Sequence, residues 1–409
     1  MSQIAYLTAR QAAAELGVKL PTLYAYVSRG LVRSEAAGSD PRERLYSAED
    51  IQRLKERQEQ RRDPTSAVAG ALNWGAPVLQ SGLTLISAGK LYYRGHDAVS
   101  LASEHTLEEV AGLLWGGTLH DQVNPLATSV TRPSRARIED LISQVRAYPL
   151  IESFQIALLM TASEDPTAYD LRPAAVRQTA AQILRLLTAV AARGMDQGSL
   201  AETLAQSWMP GQAAKVTRLL NAALILLADH EFNVSSFTAR CVASARATPY
   251  EVVTAGLAAL QGAKHGGAVI RVEALLEEID KPANASRLLR HRLKRGDDIP
   301  GFGHRLYPGG DPRARRLLEL MSEANPRSAA LSLSRIVIRE AKDLIGEEPN
   351  VDFALATLTR WLNLPEGYGL GIFALGRTVG WLAHAIEQYQ TDHLIRPRAR
   401  YVGLMPRAD

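Results

Sequence analysis

The sequence predicts a mainly α-helical protein with a separate helical module at its N-terminus. Three observations lead there. Ala and Leu dominate the composition, aromatic residues make up only 6%, and β-branched runs are few. Apolar positions recur at helical rather than alternating spacing, as in 106–114 and 183–191. The first 62 residues form a block of their own, closed by a charged helix and the breaker Asp63-Pro64-Thr65-Ser66. The residue before a proline avoids the α region, so a domain boundary falls there. At 409 residues the chain is too long for one simple core, and two or three domains are expected.

Bulk properties narrow the class. Apolar residues at 46% and charged residues at 22% are ordinary for a globular protein. No apolar stretch is expected to reach the roughly 20 residues a bilayer span needs. The N-terminus lacks a basic region followed by an apolar core. Cys241 stands alone, which removes an intrachain disulfide and a cysteine-based metal site. Together these features point to the cytoplasm, with no membrane partner. The net charge of +4 and the pI of about 9.1 suit nucleic acid and anionic metabolites alike.

In chain order, Thr8 can cap a helix over Ala9–Leu16, which Gly17 ends. Pro21 fits the first turn of a second helix, Thr22–Arg29, stopped by Gly30. Two short helices around a tight glycine turn make a helix-turn-helix. The second helix would expose Thr22, Tyr24, Tyr26, Ser28 and Arg29 to a DNA groove or to phosphates. Arg33, Arg42 and Arg44 follow, then a helix over Ala48–Arg62. Residues 1–62 carry 11 Lys and Arg against 8 Asp and Glu, a net of only +3. That is a thin electrostatic footprint for DNA, so a docking or dimerisation role stays open beside DNA binding. Asn73–Gly95 is richer in Gly and β formers and reads as short strands or loops. The rest is helical, interrupted at Pro166, Pro210, Pro249, Pro300–Gly303, Pro308–Pro312 and Asn363–Gly371.

Four later segments carry the chemistry. They are Ala228-Asp229-His230-Glu231-Phe232-Asn233-Val234-Ser235-Ser236, Gly262-Ala263-Lys264-His265-Gly266-Gly267-Ala268, Pro300-Gly301-Phe302-Gly303-His304-Arg305 running on to Asp311-Pro312-Arg313-Ala314, and Glu348-Pro349-Asn350-Val351-Asp352-Phe353. His265 and His304 sit beside glycines, which leave backbone free to approach a ligand and cannot shield the ring. No two histidines fall at helical ligand spacing with a third ligand nearby, so no metal is expected. Asp352 precedes a helix-like Phe353–Leu362 and reads first as a cap or dipole partner. It becomes a general base if a partly apolar pocket raises its pKa. Arg313, Arg377 and Arg396 are either surface ion pairs or a clamp for carboxylates, which guanidinium groups bind through two parallel hydrogen bonds.

Residues 7–18, Thr22-Leu23-Tyr24-Ala25-Tyr26, Gly30-Leu31-Val32 and Arg44–Ile51 resemble the winged helix-turn-helix of MerR-like regulators. The four later segments, with Leu91-Tyr92-Tyr93-Arg94-Gly95-His96-Asp97 and Leu107-Glu108-Glu109-Val110-Ala111, resemble the citrate synthase family over roughly residues 75–403. The resemblance implies a two-domain all-α fold behind the N-terminal module. The module would be 1–62, the large domain 65–266 and 363–409, and the small domain 267–362. It also implies a homodimer whose domains close over substrate.

The same resemblance implies roles. Asp352 takes a proton from the acyl-CoA, His265 stabilises the enol or enolate, and His304 polarises the 2-oxo carbonyl and supplies a proton. His230, Arg313 and Arg377 hold the oxo-acid, and Arg396 reaches the neighbouring subunit's site. The CoA thioester is then a substrate, and no bound cofactor is implied. Pro308 departs from the pattern, standing where many members have a basic residue that can contact CoA. Arg305 or Lys264 is a candidate substitute. Leu227 stands at a place often held by histidine. Two functions are carried forward: condensation of acetyl-CoA with oxaloacetate (or of propionyl-CoA, giving 2-methylcitrate), and a metabolite-sensing DNA-binding regulator. The candidate catalytic residues are all in place, which favours the enzyme.

Overall fold

The computed structural model describes residues 6–36, 44–48, 50–51, 54, 79–119, 135–194, 198–391, 393–399 and 401–405. The chain divides into two compact units, Met1–Gln80 and Ser81–Asp409. The expected boundary at Asp63–Ser66, Arg42 and most of the helix after Ala48 lie outside the described residues.

The first unit contains β1 (Tyr6–Thr8), α1 (Ala9–Leu16), α2 (Leu20–Ser28), β2 (Ser34–Ala36) and β3 (Arg44–Ser47). Thr8 and Gln11 form a reciprocal capping box, and Gly17 ends α1 at φ +62°. The second helix starts two residues earlier than the sequence suggests and stops at Ser28, because Lys19 is the N-cap and Pro21 falls in the first turn. The strands pair antiparallel in the order β1-β3-β2. Ala12, Leu16, Leu23, Val32, Tyr46 and Ile51 fill the core between helices and sheet. Buried Asp50 accepts from the Arg33 backbone N–H, Nε and Nη2 at 2.9, 2.8 and 3.0 Å. This ties the segment before β2 to Asp50, shortly after β3.

The second unit opens with an antiparallel sheet, β4 (Thr84–Ser87), β5 (Lys90–Tyr93) and β6 (His96–Asp97). The expectation of strands before Gly95 holds there, and the unit is not purely α. Helices follow: α3 (Ala98–Glu104), α4 (Leu107–Gly116), α5 (Arg135–Val145), α6 (Leu150–Ala162), α7 (Pro173–Ala192), α8 (Leu200–Trp208) and α9 (Ala213–Leu227). Next come α10 (Val234–Ser244), α11 (Pro249–Leu260), α12 (Ala268–Ile279), α13 (Ala285–Lys294), α14 (Pro312–Ala324), α15 (Ala329–Ile345), α16 (Val351–Trp361) and α17 (Tyr368–Thr391). Most of them share one large core. A smaller core gathers Val272, Leu276, Leu289, Val337 and Phe353 from α12, α13, α15 and α16.

Helix α17 corrects one expectation. At 24 residues it is long and apolar enough to cross a membrane, yet its apolar window is wholly buried in the core. Glycines bring it close to its neighbours. A Cβ at Gly376 would lie 2.7 Å from the Leu224 carbonyl oxygen, and one at Gly380 would lie 2.3 Å from that of Ala228. Helix α17 therefore presses on the end of α9, where the first chemical motif begins.

Candidate active site

The motif at 228–236 follows α9 directly. Asn233 caps α10 by accepting the Ser236 N–H at 3.0 Å. This holds His230 on the short turn between α9 and α10 and Ser235 in the first turn of α10. His230 is 7% exposed and its ring lies 5.2 Å from that of His304. His304 stands on the loop after α13, where its Nδ1 accepts the Leu306 N–H at 3.2 Å. With Nδ1 as acceptor, the neutral ring carries its proton on Nε2.

His265 lies between α11 and α12. Its Nε2 is 2.7 Å from Ser235 Oγ, and Trp381 Nε1 donates to that hydroxyl oxygen at 3.1 Å. The ring is 6.1 Å from Phe373, and the Arg377 guanidinium lies 5.0 Å over that phenyl face. The neighbouring glycines serve packing here. A Cβ at Gly266 would meet Leu260 at 2.5 Å, and one at Gly267 would meet the Gln261 carbonyl oxygen at 2.6 Å. They let the turn fold against α11 rather than clearing space for a ligand.

Asp311 organises the other wall. It caps α14, and its carboxylate accepts Arg313 Nε at 3.0 Å and Nη2 at 2.8 Å. It also accepts the Val351 N–H at 3.0 Å, the first N–H of α16. Asp311 and Arg313 are 3% and 2% exposed, so this is a buried pair and not a surface one. Asn350, not Asp352, caps α16, accepting the Asp352 and Phe353 N–H groups. The cap reading of Asp352 is thus corrected. No donor among the described residues reaches the Asp352 carboxylate.

Arg377 is 1% exposed. Its Nε donates to the Leu227 carbonyl oxygen at 2.8 Å, while Nη2 is buried with no protein partner. Leu227 thereby acquires a role through its backbone. A buried guanidinium N–H without an acceptor is costly unless an anion completes it. Behind this wall, buried Asp229 accepts from Thr84 Oγ1 at 2.6 Å and lies 3.2 Å from His384 Nε2.

These placements set the protonation states. Burial pushes Asp352 up to about 7, against the pull of Arg313 and Arg377. Burial, then Arg377, brings His265 down to about 4. Burial, then Arg313, does the same for His304. Burial, then the charges of Arg313 and Arg377, hold His230 well below the ordinary histidine range. Burial lowers Arg377 to about 10. Burial opposes ionisation of Asp311, but Arg313 outweighs it and keeps the carboxylate low. Three neutral imidazoles, one carboxyl poised near neutrality and two buried guanidinium groups thus share one cleft.

The structure brings together His230, His265, His304, Arg313, Asp352 and Arg377. Arg396 joins none of their contacts; it is exposed on the segment after α17, where Ile395 donates to Ser244. Pro308, Arg305 and Lys264 are exposed. Sequence reasoning missed Ser235, Tyr307 and Asp311 as parts of the site, although all three lie inside or beside the quoted motifs. An Asp-Pro pair ahead of Arg313 was the available signal for a helix cap. Among the described residues no cluster of His, Cys, Asp and Glu could hold a metal ion. On α2, Thr22, Tyr24 and Arg29 are exposed as expected, with Arg29 just past the helix end. Tyr26 departs from expectation: it is half-buried and packs on the module's core.

The chain matches the family described as citrate synthase, C-terminal domain, over residues 70–398, and the MerR HTH family regulatory proteins over residues 7–63. It is 31% identical to citrate synthase 2 of Bacillus subtilis, covering 80% of this chain and 94% of that one. It is 31% identical to a 2-methylcitrate synthase of Mycobacterium tuberculosis, covering 76% and 84%. Its fold resembles the Thermoplasma acidophilum citrate synthase in a ternary complex with carboxymethyl coenzyme A and oxaloacetate. The TM-score is 0.70 at 25% identity, over 82% of this chain and 96% of that one. With the cleft's residues in these places, the chain belongs to the citrate synthase family.

Proposed function

We propose that Asp352 removes a proton from the acyl-CoA methyl, or methylene, group, while His265 and His304 act as neutral hydrogen-bond donors. As a citrate synthase family member the chain is a transferase that joins an acyl-CoA to oxaloacetate. The observation that carries the assignment of roles is the Asp352 carboxyl, lifted to about 7 beside two buried arginines. A thioester α-proton is very weakly acidic. A carboxylate removes it only if the enolate oxygen is stabilised at once. Here Ser235 Oγ donates to His265 Nε2, so the ring proton sits on Nδ1, the nitrogen left for that oxygen. The enolate carbon then attacks the 2-oxo carbon, His304 Nε2–H hydrogen-bonds the developing alkoxide, and the proton that Asp352 took ends on that oxygen. Hydrolysis of the thioester releases CoA. Arg313, His230 and the unpartnered Nη2 of Arg377 hold the carboxylates.

The acyl-CoA is a substrate, and no bound cofactor enters the scheme. Acetyl-CoA and propionyl-CoA both remain substrates of this reading, since one methylene is worth only about 1–3 kcal/mol. A homodimer supplies Arg396 to the partner's cleft. The exposed Tyr401, Val402, Leu404 and Met405 just beyond it support burial against a second copy. The lone Cys241 supports a cytoplasmic setting. The MerR-like module contacts DNA through Thr22, Tyr24 and Arg29, a second property beside catalysis, supported by the exposed face of α2. No observation favours the pure regulator over the enzyme.

A thiol-release assay with acetyl- and propionyl-CoA against several 2-oxo acids tests the reading. Asp352→Ala should lower turnover by about 10²–10⁴-fold. Turnover untouched by that change would remove Asp352 as the base.

A further inference from the structure

Tyr307 belongs to the third motif but has no part in the scheme above. It is 2% exposed and stands inside the cleft. Its ring lies 4.9 Å from His304 and 5.6 Å from His230, with the Arg313 guanidinium 5.6 Å over it. Its hydroxyl is 3.0 Å from His230 Nε2. Burial, against the pull of Arg313, raises the phenol to about 12, so it keeps its proton at neutral pH. A buried O–H needs an acceptor. Among the described residues the only one within reach is His230 Nε2. His230 is neutral and carries a single ring proton. If Tyr307 donates to Nε2, that proton sits on Nδ1. Nδ1 meets no other group among the described residues, so its N–H is left for a ligand.

We propose that Tyr307 is a positioning residue for the oxo-acid: its hydroxyl donates to His230 Nε2 and fixes His230 as an Nδ1–H donor toward the substrate carboxylate. The inference rests on the reading that His230 holds the oxo-acid. It adds the group that chooses which nitrogen does so. Without the hydroxyl, a neutral imidazole divides between two tautomers and two ring orientations. Only one combination then presents an N–H in the right place, and apparent affinity falls by the lost fraction.

Tyr307→Phe keeps the ring between His304 and Arg313 and removes only the oxygen. The expected result is a rise of about tenfold in KM for oxaloacetate. KM for the acyl-CoA, measured at saturating oxaloacetate, should stay within about twofold. Nitrogen NMR of histidine-labelled wild-type protein, assigned with His230→Asn, should show His230 as the Nδ1–H tautomer, and Y307F should lose that signature. An unchanged oxaloacetate KM, or an equal rise in both KM values, overturns the proposal. Wild-type protein that neither binds nor turns over oxaloacetate overturns the oxo-acid reading instead. The wild-type spectrum then judges Tyr307 alone, and an Nε2–H tautomer at His230 sinks it. The same spectrum decides the matter if Y307F fails to fold.

Discussion

The N-terminal module and the catalytic unit hold their candidate functional residues in opposite surroundings. In the module, Thr22, Tyr24 and Arg29 lie in water outside a small core. In the second unit, His230, Arg313 and Arg377 are at most 7% exposed. Exposed polar residues need no explanation, whereas a desolvated charge demands a partner or a ligand. Chemistry in the second unit is therefore visible in the energetics. In the first unit it is visible only in a pattern of residue types.

The most forceful way to break this contrast is Asp311→Asn. The change leaves buried Arg313 without its counter-charge and weakens the tie to the Val351 N–H. Removing one partner of such a pair costs about 3–5 kcal/mol. Oxaloacetate binding should fall with it. Calorimetry on the variant checks both, and a stability within about 1 kcal/mol of wild type would show that burial is not the organising feature.

A pH series sharpens the contrast further. Asp352 must be ionised to act as a base, so kcat/KM should rise with pH through about 7. Stability should move the other way. A carboxyl whose pKa is raised in the folded state contributes stability that is complete below its ordinary range, near 3.8, and is lost as pH climbs toward about 7. Asp352→Asn should flatten that slope in denaturant titrations at pH values on either side. An identical slope in both proteins would mean that Asp352 is not desolvated.

The smallest effects belong to the module. Arg29→Ala should leave stability within about 0.5 kcal/mol and turnover unchanged. It should weaken DNA retardation and reduce the salt slope by about 0.9 if Arg29 meets a phosphate. If the wild-type chain retards no DNA at about 50 mM salt, the DNA contact is gone from the account.

Much of this was legible in the sequence. Helical spacing gave α4 and the C-terminal half of α7, and Thr8 with Gly17 bounded α1 within a residue. Glycine and β formers before Gly95 gave β4 and β5. The cleft residues lay inside four short motifs. What sequence could not show was which nearby residue did the capping. Asn350 and Asp352 are both cap formers, and only geometry separates them. It could not show that Gly266 and Gly267 are demanded by Leu260 and the Gln261 carbonyl oxygen, contacts with the end of the preceding helix. Nor could it assign Leu227, whose contribution is a backbone oxygen that any residue would offer. The α17 segment misled because a core helix and a membrane span share one composition, and burial alone tells them apart.

The glycines of α17 have one more implication. Arg377 lies between Gly376 and Gly380, at each of which even a methyl group would strike the turn that holds His230 or the helix before it. The guanidinium is thus seated by backbone meeting backbone. Side-chain rotation cannot absorb an error there. A single added carbon at Gly380 would pry the helix outward and carry the arginine with it, weakening the oxo-acid binding proposed for Arg377.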